Sequence, residues 1–158
     1  MEILESGFNQ GETSYEEIYF LAGGFIFHYR LRIWRGRSYL PSQRQAYYNR
    51  GNAKQAKDDL YGALADYSKA IELNSTYAKA YGNRGIVRIK KGNMDGALAD
   101  FTKAIDLNPN DANAYFGLGI VKTAKGDIDG AKADYTKALK LKPGFSEAQK
   151  QLDELNKK

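Results

Sequence analysis

The sequence has no cysteine, which excludes a disulfide framework and a thiolate metal site. It has one histidine, His28, and no Ser/His/acid set that resembles a nucleophilic triad. No group of carboxylates has a metal-binding spacing; GDIDG (Gly126–Gly130) lacks the later glutamate of a calcium loop. Glycine-containing stretches such as GNAKQ and GNRG lack the strand–loop–helix setting of a phosphate loop. Catalysis is therefore not expected, and neither is a cofactor or a small-molecule substrate.

Long apolar runs are missing too. The longest uncharged stretch of note, Ile18–Tyr29, has 12 residues, against about 20 for a membrane-spanning helix. The opening MEILESGFNQGE is acidic where a signal peptide is basic. Together with the absent cysteines, this gives the expectation of a cytoplasmic protein without a membrane span. The net charge of +5 over 158 residues is modest, so nucleic acid is not demanded.

What is present is repetition. Ala63–Asn74 reads ALADYSKAIELN, Ala97–Asn108 reads ALADFTKAIDLN, and Ala131–Lys142 reads AKADYTKALKLK. At a period of 34, the blocks 44–77, 78–111 and 112–145 align without a gap. Tyr47, Tyr81 and Tyr115 recur, as do Gly51, Gly85 and Gly119, and the aromatic series Tyr67, Phe101 and Tyr135. Small residues recur at Ala63, Ala97 and Ala131, and at Ala70, Ala104 and Ala138. A fixed period of this length marks stacked supersecondary units.

Each block reads as two helices. The first helices are expected at 44–57, 78–91 and 112–125, the second at 60–73, 94–107 and 128–141. Polar breakers separate them within a block, and turn signals, two containing Pro109 and Pro143, follow each second helix. A glycine inside a helix costs about 0.5–1 kcal/mol against alanine. Gly51, Gly85 and Gly119 are therefore expected where another helix comes close, facing Ala63, Ala97 and Ala131, with the large aromatics filling the space between hairpins. Acids in the short turns, Asp58-Asp59 and Asp127/Asp129, suit helix caps and first turns.

These blocks resemble tetratricopeptide repeats, a 34-residue helix–turn–helix family. Tyr81, Gly85, Ala97, Phe101, Ala104 and Pro109 match its pattern in the middle block, and the outer blocks match except for Ser75 in place of a proline. The resemblance covers 44–145, about two-thirds of the chain. It implies an all-α fold, a right-handed superhelical solenoid of three helix pairs. The tail, residues 146–158, has Ala148, Leu152 and Leu155 on one face and reads as a capping helix.

The chain departs from the family at the leucine before the glycine, here Arg50, Arg84 and Leu118, and at the later tyrosine, here Lys54, Arg88 and Lys122. Arg50 and Arg84 are expected to pair with the repeated acids Asp66 and Asp100.

Residues 1–43 do not continue the repeat. In its register, Glu17 and Tyr29 would stand at small-residue positions. Glutamates (Glu2, Glu5, Glu12, Glu16, Glu17) precede an apolar run, and arginines (Arg30, Arg32, Arg35, Arg37) follow it. Alternation through Phe27, Tyr29, Leu31 and Ile33 favours a strand, and Gly23-Gly24 could turn a β-hairpin. Three roles are open to this segment: a cap on the first repeat, an occupant of the groove here or in a second copy, or a stretch foreign to the repeat domain.

The resemblance implies that the first helices line a concave surface that grips a peptide. Carried onto this sequence, its ligand-binding residues are Tyr48, Asn49, Asn52, Asn83, Ile86, Lys90, Asn113, Phe116 and Ile120, with Gln55, Gly82 and Gly117 beside them. Chaperone-binding members clamp a carboxylate with two lysines, two asparagines and an arginine. Asn52 and Asn83 match the asparagines, but Tyr48, Asn113 and Gly117 replace every cation. The expected function is a non-catalytic protein–protein interaction scaffold. One alternative is self-association, giving a homo-oligomer through residues 1–43. Another is a basic surface for nucleic acid or anionic lipid, built from Lys54, Lys57, Arg88, Lys91, Lys122 and Lys125.

Overall fold

The computed structural model describes residues 14–22, 25–33 and 42–157. The chain divides into two units, Met1–Pro41 and Ser42–Lys158. In the first, strands β1 (Ser14–Ala22) and β2 (Phe25–Ile33) pair antiparallel, with Ser14 opposite Ile33 and Ala22 opposite Phe25. The Gly23-Gly24 turn, the glutamates up to Glu12, and Arg35 and Arg37 lie outside the described residues, as does Lys158.

The second unit has seven helices among the described residues: α1 (Gln43–Ala56), α2 (Leu60–Leu73), α3 (Ala78–Lys90), α4 (Met94–Leu107), α5 (Ala112–Lys125), α6 (Ile128–Leu141) and α7 (Ser146–Asn156). Each lies within two residues of the expected range. The helices form antiparallel pairs, α1/α2, α3/α4 and α5/α6, and each pair packs on the next. None of the described helices is long and apolar enough to cross a membrane.

One device makes every tight turn inside a pair. The backbone N–H groups of Asp59, Asn93 and Asp127 each donate 2.9 Å back to the carbonyls of Lys54, Arg88 and Lys122. This six-to-one bond ends the first helix and requires a left-handed residue just before it. Gly92 (φ 76) and Gly126 (φ 83) take that conformation in the second and third pairs. Asp58 takes it in the first, at φ 59. The next residue then starts the second helix: the carboxylate or amide oxygen of Asp59, Asn93 and Asp127 accepts from the backbone N–H of Gly62, Gly96 and Gly130.

The core is built from the repeated residues. Ala63, Ala70, Ala97, Ala104, Ala131 and Ala138 are fully buried, and so are Tyr67 and Tyr135, with Phe101 nearly so. The glycines differ from expectation in what they face. A methyl placed on Gly51, Gly85 or Gly119 would stand 2.7, 2.9 or 2.6 Å from the ring of Tyr67, Phe101 or Tyr135. The small residue thus admits an aromatic ring of its own hairpin rather than an alanine of the partner helix. Phe101 also meets the next pair, where a methyl on Gly117 would strike its ring.

α7 continues the register of the first helices. Ala148 and Leu155 repeat the buried positions of Ala114 and Val121, and Leu155 and Leu152 pack on the cluster of Ala131 and Tyr135. α7 therefore covers the apolar face that α6 would otherwise expose, the capping role expected of it.

Candidate functional site

The first helices of neighbouring pairs present one continuous face, on which the expected binding residues divide into two groups. Asn52 and Asn83 meet in a hydrogen-bonded cluster beneath a cavity. Asn83 Nδ2 donates to Asn52 Oδ1 (2.8 Å) and to the Tyr48 hydroxyl (3.1 Å). The buried Tyr67 hydroxyl has two acceptors for its one hydrogen, Asn52 Oδ1 at 2.8 Å and Gln55 Oε1 at 2.7 Å. Burial pushes the Tyr67 phenol up to about 12, so it is a donor and not a charge at neutral pH.

The cavity above this cluster measures about 410 Å³ and is lined by Asn52, Gln55, Ala56, Asn83 and Lys90. Its chemistry follows from what the cluster leaves over. Among the described residues, the amide nitrogens of Asn52 and Gln55 have no hydrogen-bond partner, whereas Asn83 uses its nitrogen and retains its carbonyl. The cavity therefore offers two amide donors, one carbonyl acceptor and one ammonium. An extended backbone or a carboxylate complements that set. Lys90 is exposed, and its Nζ lies 3.6 Å from Asp58 Oδ1, whose side chain is also exposed.

The other expected residues stand elsewhere. Phe116 is half-buried, its ring 5.8 Å from that of Tyr135 and 4.9 Å from that of Phe145. Ile120 packs on the same Ala131–Tyr135 cluster. Tyr48 joins the cluster through its hydroxyl, but its ring packs on Tyr77 at 5.0 Å and Tyr67 at 5.9 Å. Asn49 is exposed and accepts from Gln45 (2.9 Å), and Asn113 is exposed at the start of α5. Ile86 is 37% exposed, one turn from both Asn83 and Lys90.

Two features of the site escaped the sequence reading. Ala56 lines the cavity, and Asp58 stands beside Lys90. The second had a signal: Asp58 occupies the position of Gly92 and Gly126.

The basic series does not form a free stripe. Arg50 grips Asp66 with two hydrogen bonds of 2.7 and 2.6 Å, and Lys54 reaches the same carboxylate at 3.0 Å. Arg84 grips Asp100 at 3.0 and 2.8 Å, and Arg88 joins at 2.9 Å. Both expected arginine pairs are thus present. The hydrogen bonds from Arg50 hold the Asp66 carboxyl below the usual range, against the opposing effect of burial. In the third pair Leu118 replaces the arginine, and only Lys122 meets Asp134, at 2.8 Å. That contact lacks hydrogen-bond alignment, so Asp134 Oδ2 is compensated by charge but not by a directed bond. Lys125 pairs with Asp95 at 2.5 Å, and Lys91 Nζ sits 3.1 Å from the centre of the Tyr61 ring. A second cavity of about 290 Å³ is lined by Leu64, Ala65, Ser68, Arg88, Lys91 and Asn93.

Three stacked helix pairs, a terminal half-pair and a polar cavity on the first-helix face define a helical repeat solenoid. Tetratricopeptide repeat models match residues 45–77, 78–111 and 101–133, more than half of the chain. The chain belongs to the tetratricopeptide repeat family. The TPR domain of Arabidopsis OM64 is similar in structure, at 27% identity and a TM-score of 0.72, covering 73% of this chain and 95% of that one. The second TPR domain of human RPAP3, solved in complex with the HSP70 peptide SGPTIEEVD, has 28% identity and a TM-score of 0.69, covering 73% and 97%. The first TPR of Spaghetti (RPAP3), bound to the HSP90 peptide SRMEEVD, shares the fold at 23% identity and a TM-score of 0.71, covering 73% and 91%. No curated protein sequence matches the chain.

Proposed function

We propose that the repeat unit is a non-catalytic interaction scaffold that holds an extended segment of a partner protein against the face of α1, α3 and α5. The observation that carries this reading is the cavity of Asn52, Gln55, Asn83 and Lys90, whose unused donors and acceptor match a peptide backbone and a side-chain carboxylate. The face is preformed: its cluster is hydrogen-bonded through Tyr67 to the core, so little ordering accompanies binding. Solved relatives with a peptide in place support the same use of the fold.

The partner is not expected to end in the acidic peptides of those relatives. Tyr48, Asn113 and Gly117 stand where clamp members carry cations, and Gly117 is closed off by Phe101. The paired states of Lys54, Arg88, Lys122 and Lys125 weigh against the nucleic-acid or lipid reading, since each is already matched by an aspartate.

The test is retention of a proteome-derived peptide library on immobilised wild-type chain and on an Asn83→Ala/Lys90→Glu variant. Peptides held by the wild type and lost by the variant support the scaffold reading. Equal retention by both would move the binding surface elsewhere.

A further inference from the structure

The middle repeat lacks something that its neighbours have. In the first repeat Tyr48, Tyr67 and Tyr77 form an aromatic trio, with Tyr48 5.9 and 5.0 Å from the other two rings. In the third repeat Phe116, Tyr135 and Phe145 form the same trio, at 5.8 and 4.9 Å. Thirty-four residues from each lie Gly82, Phe101 and Asp111. Only Phe101 survives, and it is buried between Gly85 and Gly117. Asp111 has turned to capping α5, accepting from the N–H groups of Asn113 and Ala114.

At Gly82 the missing ring has not been replaced. A Cβ built there meets nothing within 4 Å. One turn further along α3, Ile86 is one of three large hydrophobic residues exposed among the described residues. A further turn on stands Lys90, the one formal charge lining the polar cavity. Gly82, Ile86 and Lys90 are spaced by four residues, so they share one helix face. Bare backbone and an aliphatic side chain suit the face of an aromatic ring, and the ammonium suits a carboxylate.

We propose that this groove selects an extended acidic peptide with one aromatic side chain, a specificity that rests on the scaffold reading above. The ring lies over Gly82 and against Ile86, where the flanking repeats carry Tyr48 and Phe116. The carboxylate meets Lys90, displacing the long, exposed contact to Asp58, and the intervening backbone meets the amides of Asn52, Gln55 and Asn83. Eight helical residues from Gly82 to Lys90 rise about 12 Å. An extended chain advances about 3.3 Å per residue. The aromatic and acidic residues of the peptide are therefore about three to four positions apart.

The test is to pan a phage library of random dodecapeptides on the full chain and measure the winning peptides on three variants. The expected winners share an aromatic residue with an Asp or Glu three or four positions away. Their affinity falls about tenfold or more on Gly82→Phe, which restores the missing ring from within the protein, and on Lys90→Glu. Ile86→Asp, at an exposed position, reports on the same contact should Gly82→Phe melt early or lose helicity. Peptides that weaken on Lys90→Glu but carry no common aromatic, or bind Gly82→Phe and Ile86→Asp as tightly as wild type, overturn the aromatic site and leave the scaffold reading in place. Peptides indifferent to all three variants, or a library that yields none, overturn both.

Discussion

The Asp58 carboxylate stands 3.6 Å from the Lys90 ammonium while its own backbone is held at φ 59, a conformation that the other two repeats give to glycine. The left-handed region costs an L-residue about 1–2 kcal/mol, somewhat less for aspartate. Glycine removes that strain but adds about 0.5–1 kcal/mol of backbone entropy to the unfolded chain. Asp58→Gly is therefore expected to stabilise the fold slightly, by about 0.5 kcal/mol, in urea unfolding. It also removes the anion beside Lys90, so acidic peptides should bind more tightly. A variant that is clearly less stable, or that binds such peptides more weakly, contradicts this account.

Much of this architecture was legible because the repeat prints each buried position three times. The series Tyr67, Phe101 and Tyr135 fixed the helix pairs, and Ala148 and Leu155 marked α7 as a continuation of them. The site was less legible. Periodicity says that Phe116 and Asn83 share a helix face with other first-helix residues. It does not say that Phe116 has Phe145 to pack against while Asn83 meets Asn52, because those partners come from turns and neighbouring repeats. The glycines face rings and not alanines for a related reason. Small residues on two helices suggest contact with each other, but a ring as large as that of Tyr67 competes for the same space.

The Phe101 ring gives a test of that packing. It lies against Gly85 of its own pair and Gly117 of the next, and it is 1% exposed. Alanine is the better helix former by up to about 1 kcal/mol. Overpacking a close-fitted core costs typically about 1–3 kcal/mol. With backbone on both sides the ring has little room to move, so Gly85→Ala and Gly117→Ala should each lower stability by about 1–2 kcal/mol in denaturant melts. Neutral or stabilising alanines at both positions would mean that the ring is loosely held. Gly82→Ala, in open space, serves as the control and should stabilise.

The three repeated aspartates should not be equal. Asp100 is buried and holds two arginines, whereas Asp134 is met by Lys122 alone. Removing one partner of a buried ion cluster leaves the remaining charges uncompensated, at a cost of about 3–5 kcal/mol where they cannot reach water. Arg84 is largely covered, with its side chain 15% exposed, so Asp100→Ala should approach the lower end of that range. Asp134→Ala should cost less, since it strands one flexible lysine. Thermal melts of the two variants compare them directly, and an equal or reversed order would show that the second cation adds nothing.

Tyr67 carries the largest share of the pH dependence at the alkaline end among the described tyrosines. Burial raises its phenol from about 10 in the unfolded chain to about 12, and burial raises Tyr77 and Tyr135 as well. The folded state thus keeps a proton that the unfolded state releases. That stabilisation is complete below pH 10 and declines as pH rises from about 10 to about 12. Tyr67→Phe removes the largest of these titrations and should make the decline shallower across that window, with Tyr77 and Tyr135 supplying what remains. It costs some stability at neutral pH, because Asn52 and Gln55 lose their shared donor. The measurement is urea unfolding at a series of pH values, alongside tyrosinate absorbance. If Tyr67→Phe loses stability as steeply as wild type above pH 10, the titrating group lies elsewhere, and the hydroxyl that ties the polar cluster to the core is not what makes the fold alkali-sensitive.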